Sequence, residues 1–141
     1  MRAALLDELL DSEIDLTCQA ISANPGVRVW REGTDILVAF PADRRGASGL
    51  FSLDCARFDV DAPGVTMLDP VSRSELPLER WAPGVPHSIH PATGKPFVCM
   101  QGVAEYHSHP SHLDDHWDRY RCRFRIPQTV RRLLEKAGVG A

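Results

Sequence analysis

The chain has 141 residues, of which 43% are hydrophobic and 25% are charged, and this composition is typical of one globular domain with a single core. It excludes a collagen, a coiled coil and a disordered tail. Sixteen basic residues against nineteen acidic ones give a formal net charge of −3, so no general attraction for nucleic acid or for an anionic membrane is expected.

An amphipathic helix opens the chain. Leucine and isoleucine residues between Leu5 and Ile21 recur at helical spacing, and Asn24, Pro25 and Gly26 end the pattern. Acidic residues within this stretch argue against a signal peptide, and no apolar run approaches the ~18 residues of a membrane span. We therefore expect a cytoplasmic protein.

A meander of four strands is predicted to follow the helix. Four segments have the alternation or the β-branched content of strands, and they are residues 27–30, 36–40, 50–58 and 64–68. A polar loop over residues 43–48 separates the first hairpin from the third strand. The proline-rich segment 70–96 is expected to be irregular and to pack over the sheet through Leu76, Leu78 and Trp81.

A closing helix is predicted from about Pro127 to Gly138, since proline is favoured in a first helical turn. The expected fold is therefore α+β, with an N-terminal helix, a four-stranded antiparallel meander and a C-terminal helix in one domain over residues 1–141.

All the histidines lie within 30 consecutive residues, and they are His87, His90, His107, His109, His112 and His116. Cys99 lies in the middle of this window. Glu105, His107 and His109 are spaced by two, which would place them on one face of an extended chain. Pro110 favours extension, because the residue before a proline avoids the helical region.

A zinc site is one interpretation of this window. A thiolate, a carboxylate and two imidazoles are ligands that zinc accepts, in the number that a closed tetrahedral site requires. Cys99, Glu105, His107 and His109 could supply them, with His112 or His116 replacing one. Two alternatives remain open: a solvated, histidine-rich loop, and a Cys99 that is a small buried hydrophobic residue.

The sequence His-Ser-His-Pro at residues 107–110 also resembles the zinc motif of JAMM-type metallopeptidases. In that family a serine and an aspartate follow farther on. Trp117 and Tyr120 stand at those positions here, so a metallopeptidase is the least supported of the readings.

The order of residues from His90 onward resembles the core of ubiquitin-conjugating enzymes. His90-Pro91-Ala92, Gly94 and Val98-Cys99-Met100 are similar to that family's His-Pro-Asn turn, which lies about ten residues before an active cysteine. The opening helix, the meander and the proline-bearing entry to the fourth strand are similar as well. The resemblance implies a conjugating-enzyme-like fold with a histidine-rich insertion at about residues 101–118. Ala92 departs from the family, because its asparagine helps to stabilise an oxyanion.

A cysteine followed by a glutamate and two histidines also resembles the predicted metal-binding Cys-Glu-His-His family of bacterial ubiquitin-like operons. That resemblance implies a role in a bacterial ubiquitin-like conjugation pathway, with a ubiquitin-like modifier and its activating enzyme as partners, and without nucleic acid or membrane.

Two mechanisms compete for the sulfur of Cys99. In the first, Cys99 is the nucleophile of a transferase that carries the modifier as a thioester or ester, and His107 or His109 is the general base. In the second, Cys99 is a zinc ligand in a scaffold or binding module that forms no covalent intermediate. A thiolate in a closed zinc site is a poor acyl acceptor, because its lone pair is already engaged.

Overall fold

The computed structural model of the protein describes residues 3–41 and 48–139. An N-terminal helix, a four-stranded antiparallel sheet and a C-terminal helix make up an α+β fold, as predicted. The helices and strands, in chain order, are α1 (Ala3–Ala20), β1 (Arg28–Glu32), β2 (Asp35–Phe40), β3 (Gly49–Asp54), β4 (Gly64–Leu68), β5 (His87–Ile89), β6 (Pro96–Val98), α2 (Ala104–Ser108) and α3 (Ile126–Lys136). Residues 43–47 of the predicted polar loop 43–48 lie outside the described residues.

The main sheet is a meander with strand order β1-β2-β3-β4. One of its faces is apolar and buried, and it carries Ile36, Val38, Phe51, Leu53, Val65 and Met67. The α1 and α3 helices pack against each other and contribute Leu10, Val130 and Leu133 to the same core. Because each strand alternates its side chains between two faces, the neighbouring polar residues Ser52 and Thr66 lie on the opposite face.

The third strand is shorter than predicted. It ends at Asp54 rather than at Phe58, because the Asp54 carboxylate accepts a hydrogen bond from the backbone N–H of Ala56 and turns the chain. Phe58 is nevertheless buried in the core, although it lies two residues after Ala56 and beyond the strand. The alternation of residues 50–58 thus predicted a strand over residues where the backbone makes a turn.

The proline-rich segment 70–96 contains more regular structure than the prediction allowed. Strand β5 pairs antiparallel with β6, with His87 opposite Val98, and residues 90–95 form the connecting turn. Leu76 and Trp81 are buried and Leu78 is partly buried against the core, as predicted. This small hairpin lies beside β4 and carries Cys99 at its end.

An ion-pair network ties both helices to the loop before β4. Arg125, the residue before α3, contacts the buried carboxylate of Glu13 at 2.7 Å and that of Asp59 at 2.9 Å. Glu13 is only 3% exposed, so its charge requires this partner. The network fixes the start of α3 relative to α1.

None of the helices in the described parts of the chain is both long enough and apolar enough to cross a membrane.

Candidate functional site

Cys99 follows strand β6 directly and lies at the rim of the hairpin. Its backbone N–H donates to the carbonyl of Pro86 at 3.0 Å, which continues the pairing of β5 and β6 by one residue. The thiol is free and half-buried, between the buried side chains of Val98 and Met100. Partial burial raises the pKa of the Cys99 thiol above its usual value.

His90 holds the turn that precedes Cys99. Its ring is buried, and its Nδ1 accepts a hydrogen bond from the backbone N–H of Ala92 at 3.1 Å. Because Nδ1 accepts, the neutral ring carries its proton on Nε2, which lies 3.0 Å from the hydroxyl of Ser108. His90 therefore connects the hairpin turn to helix α2.

The prediction of an extended chain at residues 105–109 is wrong. Residues Ala104–Ser108 form helix α2, and only His109 is extended, with φ −68° and ψ 136°. Pro110 restricts the residue directly before it and leaves the earlier ones free to be helical. Two residues apart on a helix correspond to about 200° of rotation, so Glu105 and His107 point in different directions.

Glu105 faces strand β4. Its Oε1 accepts a hydrogen bond from the N–H of Val65 at 3.1 Å, while Oε2 is buried without a partner in the described structure. A Cβ at Gly64 would lie 3.2 Å from Oε1, so the glycine leaves room for the carboxyl group. Burial, with the charge of Asp54 as a minor contribution, raises the pKa of Glu105 to about 7. The residue lines a cleft of about 480 Å³ between the sheet and the hairpin.

His107 points into the opposite side of the segment, where both of its ring nitrogens are engaged. Nε2 accepts the backbone N–H of Gly102 at 3.0 Å, so Nδ1 carries the proton and donates to the carbonyl of Asp115 at 2.7 Å. Burial lowers the pKa of His107, and this agrees with a neutral ring. His107 thus links two backbone segments, and it has no free lone pair for a proton or a metal in this arrangement.

Asp115 is the centre of the histidine-rich segment, and we call it and its partners the Asp115 hub. Its carboxylate accepts hydrogen bonds from the hydroxyl groups of Tyr106 and Tyr120, at 2.6 Å each. The Oδ2 atom also accepts a hydrogen bond from the side-chain amide of Gln101 at 3.3 Å. These hydrogen bonds lower the pKa of Asp115 to about 2. Burial, together with the hydrogen bond to Asp115, raises the pKa of Tyr106 to about 12. The carboxylate is therefore charged at every physiological pH and holds the segment together.

The remaining histidines are dispersed around this hub. His112 stacks on Tyr106 with ring centroids 4.1 Å apart, and His116 accepts the N–H of Asp118. The Nδ1 of His109 accepts the N–H of Ser111 at 3.1 Å, and its ring lies against His90 and Phe97. Clustering of histidine in the sequence thus corresponds here to several local turns, in which ring nitrogens accept backbone N–H groups.

The predicted zinc ligands are not gathered around one point. Within residues 3–41 and 48–139, no group of three or more histidine, cysteine, aspartate or glutamate side chains is placed to hold a metal ion. Cys99 lies at the hairpin, Glu105 faces β4, His107 is bound within the hub and His109 begins a separate turn. A site made of all four would require His107 to release a backbone partner, and the zinc assignment stays a prediction.

Comparison with known proteins does not identify a family. No family model matches the chain, and no curated protein matches its sequence at a significant level. Function is therefore inferred from the order of helices and strands and from the residues around His90 and Cys99.

Sequence reasoning missed the role of Asp115. A usable signal was present, because Tyr106, Asp115 and Tyr120 are the two tyrosines of the chain and an aspartate between them. A carboxylate and two phenols within a short segment are able to form charge-assisted hydrogen bonds at once. The histidines of the same segment were instead predicted to be its functional groups.

Replacing Glu105 by glutamine tests its raised pKa. A carboxyl whose pKa is raised by folding adds stability below its unfolded value, near 4.5, and loses it as the pH rises through about 7. Relative to Glu105→Gln, the wild type should lose on the order of 2 kcal/mol of unfolding free energy between pH 5 and pH 8. Urea denaturation at both pH values measures this.

Glu8→Gln, at an exposed position on α1, is the matched control and should leave the pH dependence of the wild type unchanged. A parallel pH dependence of the wild type and Glu105→Gln would contradict the assignment.

Replacing Asp115 by asparagine tests the hub. The amide loses the charge that both phenols bind, while the backbone carbonyl that accepts from His107 is retained. We expect a lower midpoint of thermal unfolding and faster hydrogen exchange at the Gly102 amide. The neighbouring Asp114→Asn, at an exposed position, should change neither quantity. Equal behaviour of the two variants would show that the hub does not hold the segment.

Proposed function

We propose that this protein is a conjugating-enzyme-like carrier in a bacterial ubiquitin-like conjugation pathway, with Cys99 as the residue that accepts the modifier. One observation carries the proposal: Cys99 is a free, half-buried thiol directly after a hairpin whose turn is closed by a His-Pro pair. The ring nitrogens of His90 are engaged by Ala92 and by the Ser108 hydroxyl, and those of His107 by the backbone of Gly102 and Asp115.

The order of elements supports the same function. A helix, a four-stranded antiparallel meander, a hairpin ending in a cysteine and a closing helix follow one another as in the conjugating enzymes that the sequence resembles. In that resemblance, the turn of His90 and Pro91 corresponds to the family's His-Pro-Asn turn. Fold alone does not assign an activity, so the proposal depends on the placement of the thiol.

The charging step would be an exchange between two thioesters. The Cys99 sulfur attacks the carbonyl carbon of the modifier's C-terminal thioester, the new S–C bond forms, and the bond to the activating enzyme's cysteine breaks. The proton of the Cys99 thiol goes to the departing thiolate. One thioester replaces another, so the step needs orientation of the carbonyl more than a chemical driving force.

The raised pKa of Cys99 has opposite effects on charging and on the stability of a thioester. A thiol of high pKa is a poorer leaving group than one of low pKa, as the same trend in thiol exchange shows. A modifier held on Cys99 would therefore be less exposed to hydrolysis than one on an activated thiolate. The cost is a smaller thiolate fraction at neutral pH, so charging depends on the partner that brings the thioester.

Later transfer to an amine has less support from this site. Ala92 has no side-chain donor where the family has an asparagine, and His107 has no free ring nitrogen in this arrangement. A general-base role for His107 would first require one of its two backbone hydrogen bonds to break. The proposal therefore concerns the charging of Cys99 and its handover of the modifier to a further acceptor.

A charging assay tests the proposal. The protein is incubated with ATP, a bacterial ubiquitin-like modifier and the activating enzyme of that modifier, and the products are separated without and with reducing agent. We expect an adduct that thiols cleave, that Cys99→Ala abolishes, and that Cys99→Ser converts into a thiol-resistant ester. Cys122→Ser, at the exposed position of another free cysteine, is the control and should charge like the wild type.

Metal analysis of the same preparations separates this function from the zinc-stabilised scaffold. About one zinc per chain, lost together in Cys99→Ala, His107→Ala and His109→Ala, would favour the scaffold and contradict a free Cys99. Zinc content that does not depend on Cys99, with a thiol-sensitive adduct, is the result that the carrier proposal expects.

A further inference from the structure

Two aromatic rings and two arginines form a continuous array before and along α3. Tyr120 and Phe124 stack with centroids 5.3 Å apart and planes 10° from parallel. The guanidinium of Arg123 lies over Tyr120 at 5.5 Å, and that of Arg132 lies over Phe124 at 4.2 Å. We call these four residues the arginine–aromatic array. The rings hold the two cations in fixed positions.

The charges of the array are not neutralised by acidic side chains in the described structure. Arg123 donates to the carbonyl of Arg119 at 3.3 Å, and Arg132 donates to the carbonyl of Gln101 at 2.6 Å. By contrast, Arg121 and Arg125 pair with carboxylates on the other side of the segment. A backbone carbonyl satisfies some donors of a guanidinium but leaves its charge in place. Arg123 is exposed and Arg132 is partly buried, so the remaining donors of Arg123 are the more accessible ones.

This array borders the loop of Cys99. Gln101, which anchors Arg132, is two residues after Cys99. A Cβ at Gly102 would lie 3.2 Å from the ring of Phe124 and 3.3 Å from Arg132, so the loop packs directly on the array. Lys136, exposed one turn beyond Arg132 on α3, extends the positive surface.

Carboxylates are the chemistry that this surface fits best. Guanidinium groups present paired donors to carboxylates, and ordered guanidiniums lose little entropy on binding them. A nucleic acid would need bare aromatic faces for its bases, whereas these rings already contact each other and a guanidinium. The net charge of −3 also makes the rest of the molecule unfavourable for a polyanionic strand.

We infer that the arginine–aromatic array is a docking surface for an acidic segment of the polypeptide that delivers the acyl group to Cys99. The identity of the partner as an acyl donor rests on the proposed function, whereas the preference for acidic polypeptide rests on the array. Binding there would bring the donor's thioester to the side of the loop where Cys99 lies. Charge complementarity would supply the rate of encounter and the orientation.

The test uses a short fluorescein-labelled peptide of alternating glutamate and glycine and the full chain. Its anisotropy should report binding at low salt that weakens at about 0.3 M NaCl, and amide NMR shifts should concentrate at residues 99–102 and 120–136. Arg123→Gln and Arg132→Gln should each weaken binding at least about fivefold. Lys136→Gln, at an exposed position, replaces Arg132→Gln if that variant fails to fold.

Arg28→Gln is the matched control, because Arg28 also lies over an aromatic ring, that of Trp30, and is exposed on β1. It should bind the peptide like the wild type. Equal binding by wild type and Arg123→Gln, no binding of the peptide, or tighter binding of a single-stranded oligonucleotide at these residues would overturn the inference. If the peptide binds but Cys99 is not charged, only the proposed carrier function is contradicted. If Cys99 is charged equally in the wild type and in Arg123→Gln, and the peptide does not bind, only the docking surface is contradicted.

Discussion

The candidate site depends on the hydrogen bonds that the carboxylate of Asp115 accepts. It accepts two phenolic protons at 2.6 Å, and its residue also accepts the ring proton of His107 through the backbone. Hydrogen bonds to a charged acceptor are about twice as strong as neutral ones. A segment with only one short α-helix and two 3-10 turns can therefore keep a defined shape, and that shape determines where the loop after Cys99 lies.

The same interaction determines which chemistry the thiol can take part in. Because His107 joins Gly102 to Asp115, it fixes the loop one residue beyond Gln101 and is itself engaged in this arrangement. Glu105, two positions earlier on the helix, is turned toward β4 instead. His107 is thus engaged by two backbone groups, while Cys99 carries a free thiol.

The fold was predictable because its signals are local and periodic. In α1 the helical spacing of Leu6, Leu9, Leu10 and Ile14 arises because these residues pack on the core. Strand β2 is a nearly continuous apolar run because it is a central strand with residues buried on both faces. Helix α2 was mispredicted because proline limits only the residue before it, and the influence of Pro110 was extended to Glu105 and His107. That error also made the metal ligands look convergent. The Asp115 hub depends on contacts between residues 5 to 9 positions apart in irregular chain, which no periodicity records.

The tautomer of His107 and its response to zinc directly test whether both ring nitrogens are bound to the backbone of Gly102 and Asp115. In a ¹⁵N-labelled sample, the long-range ¹H–¹⁵N spectrum of the histidine rings distinguishes a protonated nitrogen from an unprotonated one. We predict a neutral ring with its proton on Nδ1, and an Nε2 resonance that is the same with added zinc and with added EDTA. An Nε2 resonance that moves with zinc and returns with EDTA would contradict it, because that nitrogen would then bind a metal rather than the backbone of Gly102.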